Sequence, residues 1–349
     1  MKSVRNIVNS LCISFLIVIG LIAWPTFQGT HKASSAAIIP LNPKLIDIYF
    51  PVIVNLNPAG GSPVPEDADW LVYLNYYRSL GGLAPVTENP DWSQGAWLHS
   101  KYMVKNDYIG HSEDPKNSWY TTAGDEAART SNLMVSYSDS ATDQEAIDSW
   151  MQAPFHSVGI LDPQLYKVGY GSYREKDGGF QMGGALDVLR GLGELLTTVQ
   201  FPITWPADGM TVPLTTYYNE FPDPLSSCLG YSSPAGLPIV LQIGAGDLTP
   251  NVTSHTFMQG DKILDHCVFD ETTYNNPDSS ARALGRAILD SRDAIVLIPR
   301  APLIPGGNYS VSITANGNSY AWSFSVAPQV IQTEKMVNGE MGDGKFILR

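Results

Sequence analysis

The sequence predicts an α+β fold followed by an all-β one, on three observations. Capped segments of helical period begin near Glu66 and give way to two strand-like segments that end at Arg190. Beyond Gln200 the helical period fades, and short β-rich runs are separated by Pro-containing turns. Only 16% of the 349 residues are charged, while 31 are Gly and 25 Pro. That balance excludes a long helical rod and suits strands and loops.

Each element has a local reason. Lys2 and Arg5 precede an apolar run from Leu11 to Trp24, and small residues follow at Ala33–Ala36. About fourteen apolar residues suit a signal-peptide core, since a membrane span needs about twenty. Residues 1–36 therefore read as a secretory leader, either cleaved or kept as an anchor, the latter being the chain's one route to a membrane. Residues 37–66, rich in Pro, Asn, Gly and Ser, read as a spacer. Asp67 and Asp69 can cap a helix whose inner face is Trp70, Tyr73, Leu74, Tyr77 and Leu80, and Gly81-Gly82 stops it. Asn89-Pro90 opens a second helix, because Pro suits the first helical position. Its inner stripe is Trp92, Ala96, His99 and Met103. A short third helix holds Asp125–Arg129. Thr142 and Glu145 form a capping box for a fourth, in which Ile147, Trp150 and Met151 face inward and which Pro154 ends. Tyr166–Tyr173 and Gly179–Leu189 read as a hairpin about Lys176-Asp177-Gly178.

The second half, 200–328, holds β-rich runs at Ile239–Ile243, Ala294–Ile298, Tyr309–Thr314 and Tyr320–Val326, which suggests a sandwich. Ser279–Asp290 reads as a helical insertion. The polar residues 329–349 read as a flexible tail.

Charge narrows the function. A net charge of −13 disfavours nucleic-acid binding, which needs clustered Lys and Arg. The leader removes cations and no acids, so the mature chain is more acidic still. No glycine-rich phosphate loop, Gly-x-Ser-x-Gly elbow or His-Glu-x-x-His helix is present. Cys12 lies in the leader, leaving Cys228 and Cys267 as an isolated pair. In an oxidising compartment such a pair is most simply a disulfide, closing a loop of about forty residues and contributing roughly 3–4 kcal/mol. Among the histidines, His99 lies on an apolar helix face and reads as a core residue. His111 and His156 read as loop residues beside helix ends, where function concentrates. His255 and His266 have no third partner nearby in sequence and read as surface or structural.

Leu74-Asn75-Tyr76-Tyr77-Arg78 with Gly82-Leu83-Ala84-Pro85 resembles the opening of bacterial CAP domains, the superfamily of cysteine-rich secretory, antigen 5 and pathogenesis-related 1 proteins. Ala96–Met103, Asn106 and His111-Ser112 continue the pattern. So do Trp150-Met151, Pro154, His156, Ile160–Pro163 and Val168–Gly171. The resemblance covers about Asp67 to Leu189 and implies an α-β-α sandwich with a surface cleft, here residues 67–190. It further implies a tetrad of two histidines and two glutamates able to hold a divalent ion, zinc or magnesium. His111 matches the first histidine and His156 the second. Ser131, followed by Asn132, stands where one glutamate belongs, and Gln152-Ala153 near the other; Glu113 and Glu126 are the acids that could substitute in space. Trp205–Gly209, Val212-Pro213-Leu214 and Pro305–Val311 resemble bacterial Ig-like domains, which implies a spacer or adhesion module.

The leading expectation is a secreted or cell-surface protein that binds a ligand without catalysis in a cleft lined by His111, Ser131, Asn132 and His156. The ligand is a small molecule, lipid, glycan or surface protein. One alternative is a metal-assisted hydrolase of peptides or cell-wall material, with His111 and His156 on the ion and Glu113 or Glu126 as general base. Another is a structural adhesin with a vestigial cleft.

Overall fold

The computed structural model describes residues 68–176, 178–328 and 346–348. The leader and the spacer expected for 1–66 lie outside them. The described residues fall within one compact unit, Leu56–Arg349.

Helix α1 (Trp70–Leu80) starts where Asp69 accepts a hydrogen bond from the Val72 amide and ends at Gly81. Helix α2 (Pro90–Asn106) is capped by Asn89, with Pro in its first turn. Short strand β1 (Thr87–Glu88) lies between them. Helix α3 (Thr122–Thr130) is capped by Thr121 and runs directly into strand β2 (Ser131–Ser136). The Thr142–Glu145 capping box forms at the head of α4 (Asp143–Met151).

One expectation is corrected at this point. Pro154 does not close a helix into a loop; it opens a further helix, α5 (Pro154–Ile160), every residue of which is buried. Proline is as good at the first position of a helix as it is poor inside one, so the same residue serves the next element. His156 therefore sits within a buried helix.

Strands β3 (Lys167–Arg174) and β4 (Met182–Asp187) form the expected hairpin, and the sheet order is β1-β3-β4-β2. Side chains alternate across it. Leu133, Val135 and Ala185 pack with Ala96 and Met103 of α2 in one cluster, while Met134, Met182 and Leu186 face α1, α4 and α5 in another. The result is three layers, helix–sheet–helix. Gly171 and Gly183 let α2 lie close on the strands, because a Cβ at either would run into the backbone of Trp97 or Ser100. Strand β16 (Phe346–Leu348) pairs antiparallel with β2, so the tail read as flexible contains an ordered strand. The exposed backbone edge of β2 is the reason: its unpaired groups accept another strand.

The second half builds further β structure. Strands β5 (Ile203–Trp205), β9 (Ile239–Gln242), β12 (His266–Phe269) and β13 (Ala294–Pro299) form a four-stranded sheet in the order β12-β13-β9-β5. Strands β6 (Thr211–Val212), β10 (Val252–Gln259), β11 (Lys262–Ile263), β14 (Asn308–Ala315) and β15 (Asn318–Val326) form a five-stranded one. Strands β7 (Thr216–Tyr217) and β8 (Ala235–Gly236) pair separately. Helix α6 (Ser279–Asp290) is the expected insertion. Cys228 and Cys267 are joined in a disulfide.

No gap in the apolar core separates the two halves. One buried cluster runs from Leu74 of α1 to Val326 of β15. Tyr77 meets Trp205 edge-on at 5.7 Å, and Phe155 meets Tyr274 at 5.0 Å. Polar links cross the same surface: Gln242 donates to the Leu161 carbonyl at 3.1 Å, and Arg292 faces Asp162 at 3.0 Å. Among the described residues no helix is long and apolar enough to cross a membrane.

Candidate functional site

The site grows from the junction where α3 passes into β2. Thr130 ends the helix and Ser131 takes an extended conformation, so the chain reverses its hydrogen bonding within one residue. The His111 Nδ1 lies 2.8 Å from the Ala128 carbonyl at the end of α3. Asn132 donates from Nδ2 to the His156 carbonyl at 3.2 Å. The junction is thereby tied to both expected histidines. Ser131 is buried, and its Oγ has no hydrogen-bond partner. An unsatisfied buried hydroxyl of this kind costs about 1–3 kcal/mol unless something binds it.

Helix α5 explains the second histidine. Its N-cap residue, Ala153, has no side chain that can satisfy the Phe155 amide. That role is taken by Glu220, which follows β7 in the second half. The Glu220 carboxylate accepts from the Phe155 amide at 3.1 Å and from the His156 Nδ1 at 2.7 Å. Its side chain is fully buried, and burial pushes its pKa up, partly offset by the hydrogen bond and charge of His156. A carbonyl and a carboxylate can only accept, so in both His111 and His156 it is Nδ1 that carries the proton toward its partner.

Glu220 was missed in the sequence because it belongs to no motif and lies 64 residues from His156. One signal was present: an acid set between Tyr217-Tyr218 and Phe221-Pro222, where a buried charge needs a partner.

The other acids are employed elsewhere. Glu113 is buried, with Oε1 3.0 Å from the His99 Nδ1 and Oε2 accepting from the Thr121 amide at 3.0 Å. The other nitrogen of His99 faces the Gly110 carbonyl at 3.0 Å. This link ties the loop after α2 to the helix, and His99 is the core residue its helix face suggested. Glu126 is largely exposed, 3.8 Å from Arg190. A surface cleft of about 420 Å³ is lined by Tyr102, Asn106, Tyr108, Ser112, Glu113, Asp114 and Asn117.

The tetrad implied by the resemblance would hold a divalent ion, and the donors present do not fit a catalytic one. They are two imidazoles, a serine and an asparagine, and the Glu220 oxygen nearest them is turned onto the His156 Nδ1. Among the described residues no group of three or more His, Cys, Asp or Glu is set to hold a metal ion. A catalytic zinc takes three protein ligands. No chemistry is therefore routed through such an ion here.

A three-layer helix–sheet–helix domain, with two histidines oriented by protein acceptors, is what the fold and the site define. Residues 71–189 match the model of the cysteine-rich secretory protein family, CAP, and this part of the chain is a CAP domain. A crystal structure of an extracellular protein containing a SCP domain, from Bacillus anthracis str. Ames, is 22% identical to the chain. That similarity covers 34% of this chain and 38% of that one, with a TM-score of 0.25. The chain thus spans well under half of that protein's length. No curated protein matches.

Proposed function

We propose that this is an exported protein whose CAP domain binds a ligand without catalysis, in a site bordered by His111, Ser131, Asn132 and His156. Residues 200–328, read as an Ig-like sandwich, then complete that site as well as serving as a surface module. The observation that carries the reading is the Glu220–His156 link. Two buried acids are spent on holding rings and amides, Glu220 on His156 and Phe155, and Glu113 on His99 and Thr121. A carboxylate so employed positions a side chain; it is poorly placed to take a proton from water. The unpartnered Ser131 hydroxyl supports a binding role, since a ligand group would satisfy it. Export is supported by the disulfide, a bond that persists in oxidising compartments.

The test measures binding and turnover together. Wild type and His111→Gln are titrated with N-acetylglucosamine oligomers, phosphatidylglycerol vesicles and a defined oligopeptide mixture, and each mixture is assayed for cleaved products. Saturable binding of one probe, lost in His111→Gln and without product, is the expected result. Product formation that disappears in His111→Gln overturns the non-catalytic reading and favours the hydrolase.

A further inference from the structure

His255 and His266 are eleven positions apart and belong to different sheets, on β10 and β12. The turn through Gly260-Asp261 and short β11 brings them together. The His255 Nδ1 stands 2.8 Å from the His266 Nε2, with ring centroids 4.9 Å apart and the rings nearly perpendicular. The remaining nitrogen of His266, Nδ1, lies 2.7 Å from the Leu264 carbonyl. Since that carbonyl can only accept, the His266 Nδ1 carries the proton and its Nε2 holds a lone pair. The His255 Nδ1–H is then the donor between the rings. His255 is exposed and His266 half-buried. Burial, then the neighbouring ring of His266, lower the His255 pKa, which keeps its imidazole neutral at physiological pH.

We propose that this pair is an exchangeable binding site for a late first-row divalent ion, zinc or copper, which clips the two sheets together near their open edges. His266 is ready to ligate through Nε2, because a backbone carbonyl already orients its ring; metal-bound imidazoles characteristically have such an outer partner. His255 ligates through Nδ1 once its proton moves to its own Nε2, so both rings stay neutral and no proton is lost. Two nitrogens on a tetrahedral zinc, each about 2.0–2.1 Å from it, stand about 3.3 Å apart. The rings need to part by about half an ångström and to turn by about 35° each, so that both lone pairs meet at the ion, which the exposed His255 side chain permits. Among the described residues no third His, Cys, Asp or Glu joins them, so water fills the other positions and the ion exchanges readily. Two imidazoles without a carboxylate select zinc and copper over calcium and magnesium, with copper the tighter. Cys267 follows His266 directly, so the metal would brace the strand that the disulfide to Cys228 already holds. The inference is independent of what the CAP domain binds.

The experiment is calorimetric titration of the full chain, purified without a histidine tag and freed of metal, with zinc sulfate. The proteins compared are wild type, His255→Gln, His266→Gln and His111→Gln. The expected result is one saturable zinc equivalent in wild type and His111→Gln, weakened at least about tenfold in both other variants. Copper should displace the zinc. The exposed His255→Gln variant should melt with wild type in EDTA, which keeps its result readable even if His266→Gln is destabilised. Unchanged zinc binding in His255→Gln, or no saturable binding by wild type, overturns the proposal.

Discussion

Replacing Glu220 by Ala should loosen the attachment of the second half to α5. The carboxylate is fully buried and satisfies two donors, the Phe155 amide at 3.1 Å and the His156 Nδ1 at 2.7 Å. Truncation leaves both buried without partners, at about 1–3 kcal/mol each. Breaking one side of a buried pair costs about 3–5 kcal/mol in all. For a unit of this size that lowers the melting temperature by about 6–20 °C. Glu220→Gln retains the shape and one acceptor, so it should lose only about 1–2 kcal/mol at neutral pH. The two variants also differ from wild type in pH dependence. Burial raises the Glu220 carboxyl above its ordinary 4.5. A raised carboxyl contributes stability that is complete below the unfolded value and is lost as pH rises through the folded one. Wild type should therefore decline relative to Glu220→Gln as pH rises from about 4.5. Melting followed by circular dichroism between pH 4 and 8 reads both effects. An Ala variant that melts within about 1 °C of wild type throughout would refute the reasoning, because orphaned buried donors cannot be that cheap.

Three other outcomes follow from buried groups. Asp148 accepts from the hydroxyls of Tyr73 at 2.7 Å and Tyr77 at 2.5 Å, and burial raises its pKa to about 6 against those hydrogen bonds. Its contribution is present below about 4 and fades through about 6, so Asp148→Asn should remove up to about 3 kcal/mol of stability loss between those pH values in urea titrations. Ser131→Ala removes an unsatisfied buried hydroxyl and should leave urea stability unchanged or raise it by up to about 1 kcal/mol; a loss above 1 kcal/mol would show that the hydroxyl has a protein partner. Reducing the disulfide, which closes a separation of 39 residues, should cost about 4 kcal/mol, read as a lower melting temperature with reductant than without.

What the sequence made legible was local. Asp69, Asn89 and the Thr142–Glu145 box marked their helices because a cap is decided within one turn of chain. The α6 insertion was equally plain, since Asp278 caps a single amphipathic run. The core role of His99 followed from its helix face, although its partners, Glu113 and Gly110, did not. Pro154 was ambiguous, because a residue that breaks one helix starts another with equal ease. Strand β10 went unread: its side chains are mostly exposed or half-buried, so apolar residues do not mark it. Glu220 and the His255–His266 contact were beyond reach for a different reason. Each depends on how separate elements pack, and no periodicity along the chain encodes that. Glu113 and Glu126 drew attention by their nearness in sequence to His111 and Ser131, but the bonds of Glu113 to His99 and Thr121 join it to elements that the spacing alone did not name.

The closing of α5 by Glu220 bears on how such chains can be recombined during evolution. A CAP domain excised near Arg190 would carry a helix whose Phe155 amide is bare, and the faces of Tyr77 and Phe155 now covered by Trp205 and Tyr274 would meet water. It could be grafted beside a different neighbour only if that neighbour supplied an acid, or if a carboxylate arose within the domain. The acid and its substitute should therefore trade places across a lineage. A chain that satisfied the Phe155 amide from within the domain would be free to lose the acid at 220 and to change partners, whereas one that did not would be inherited only as the joined pair.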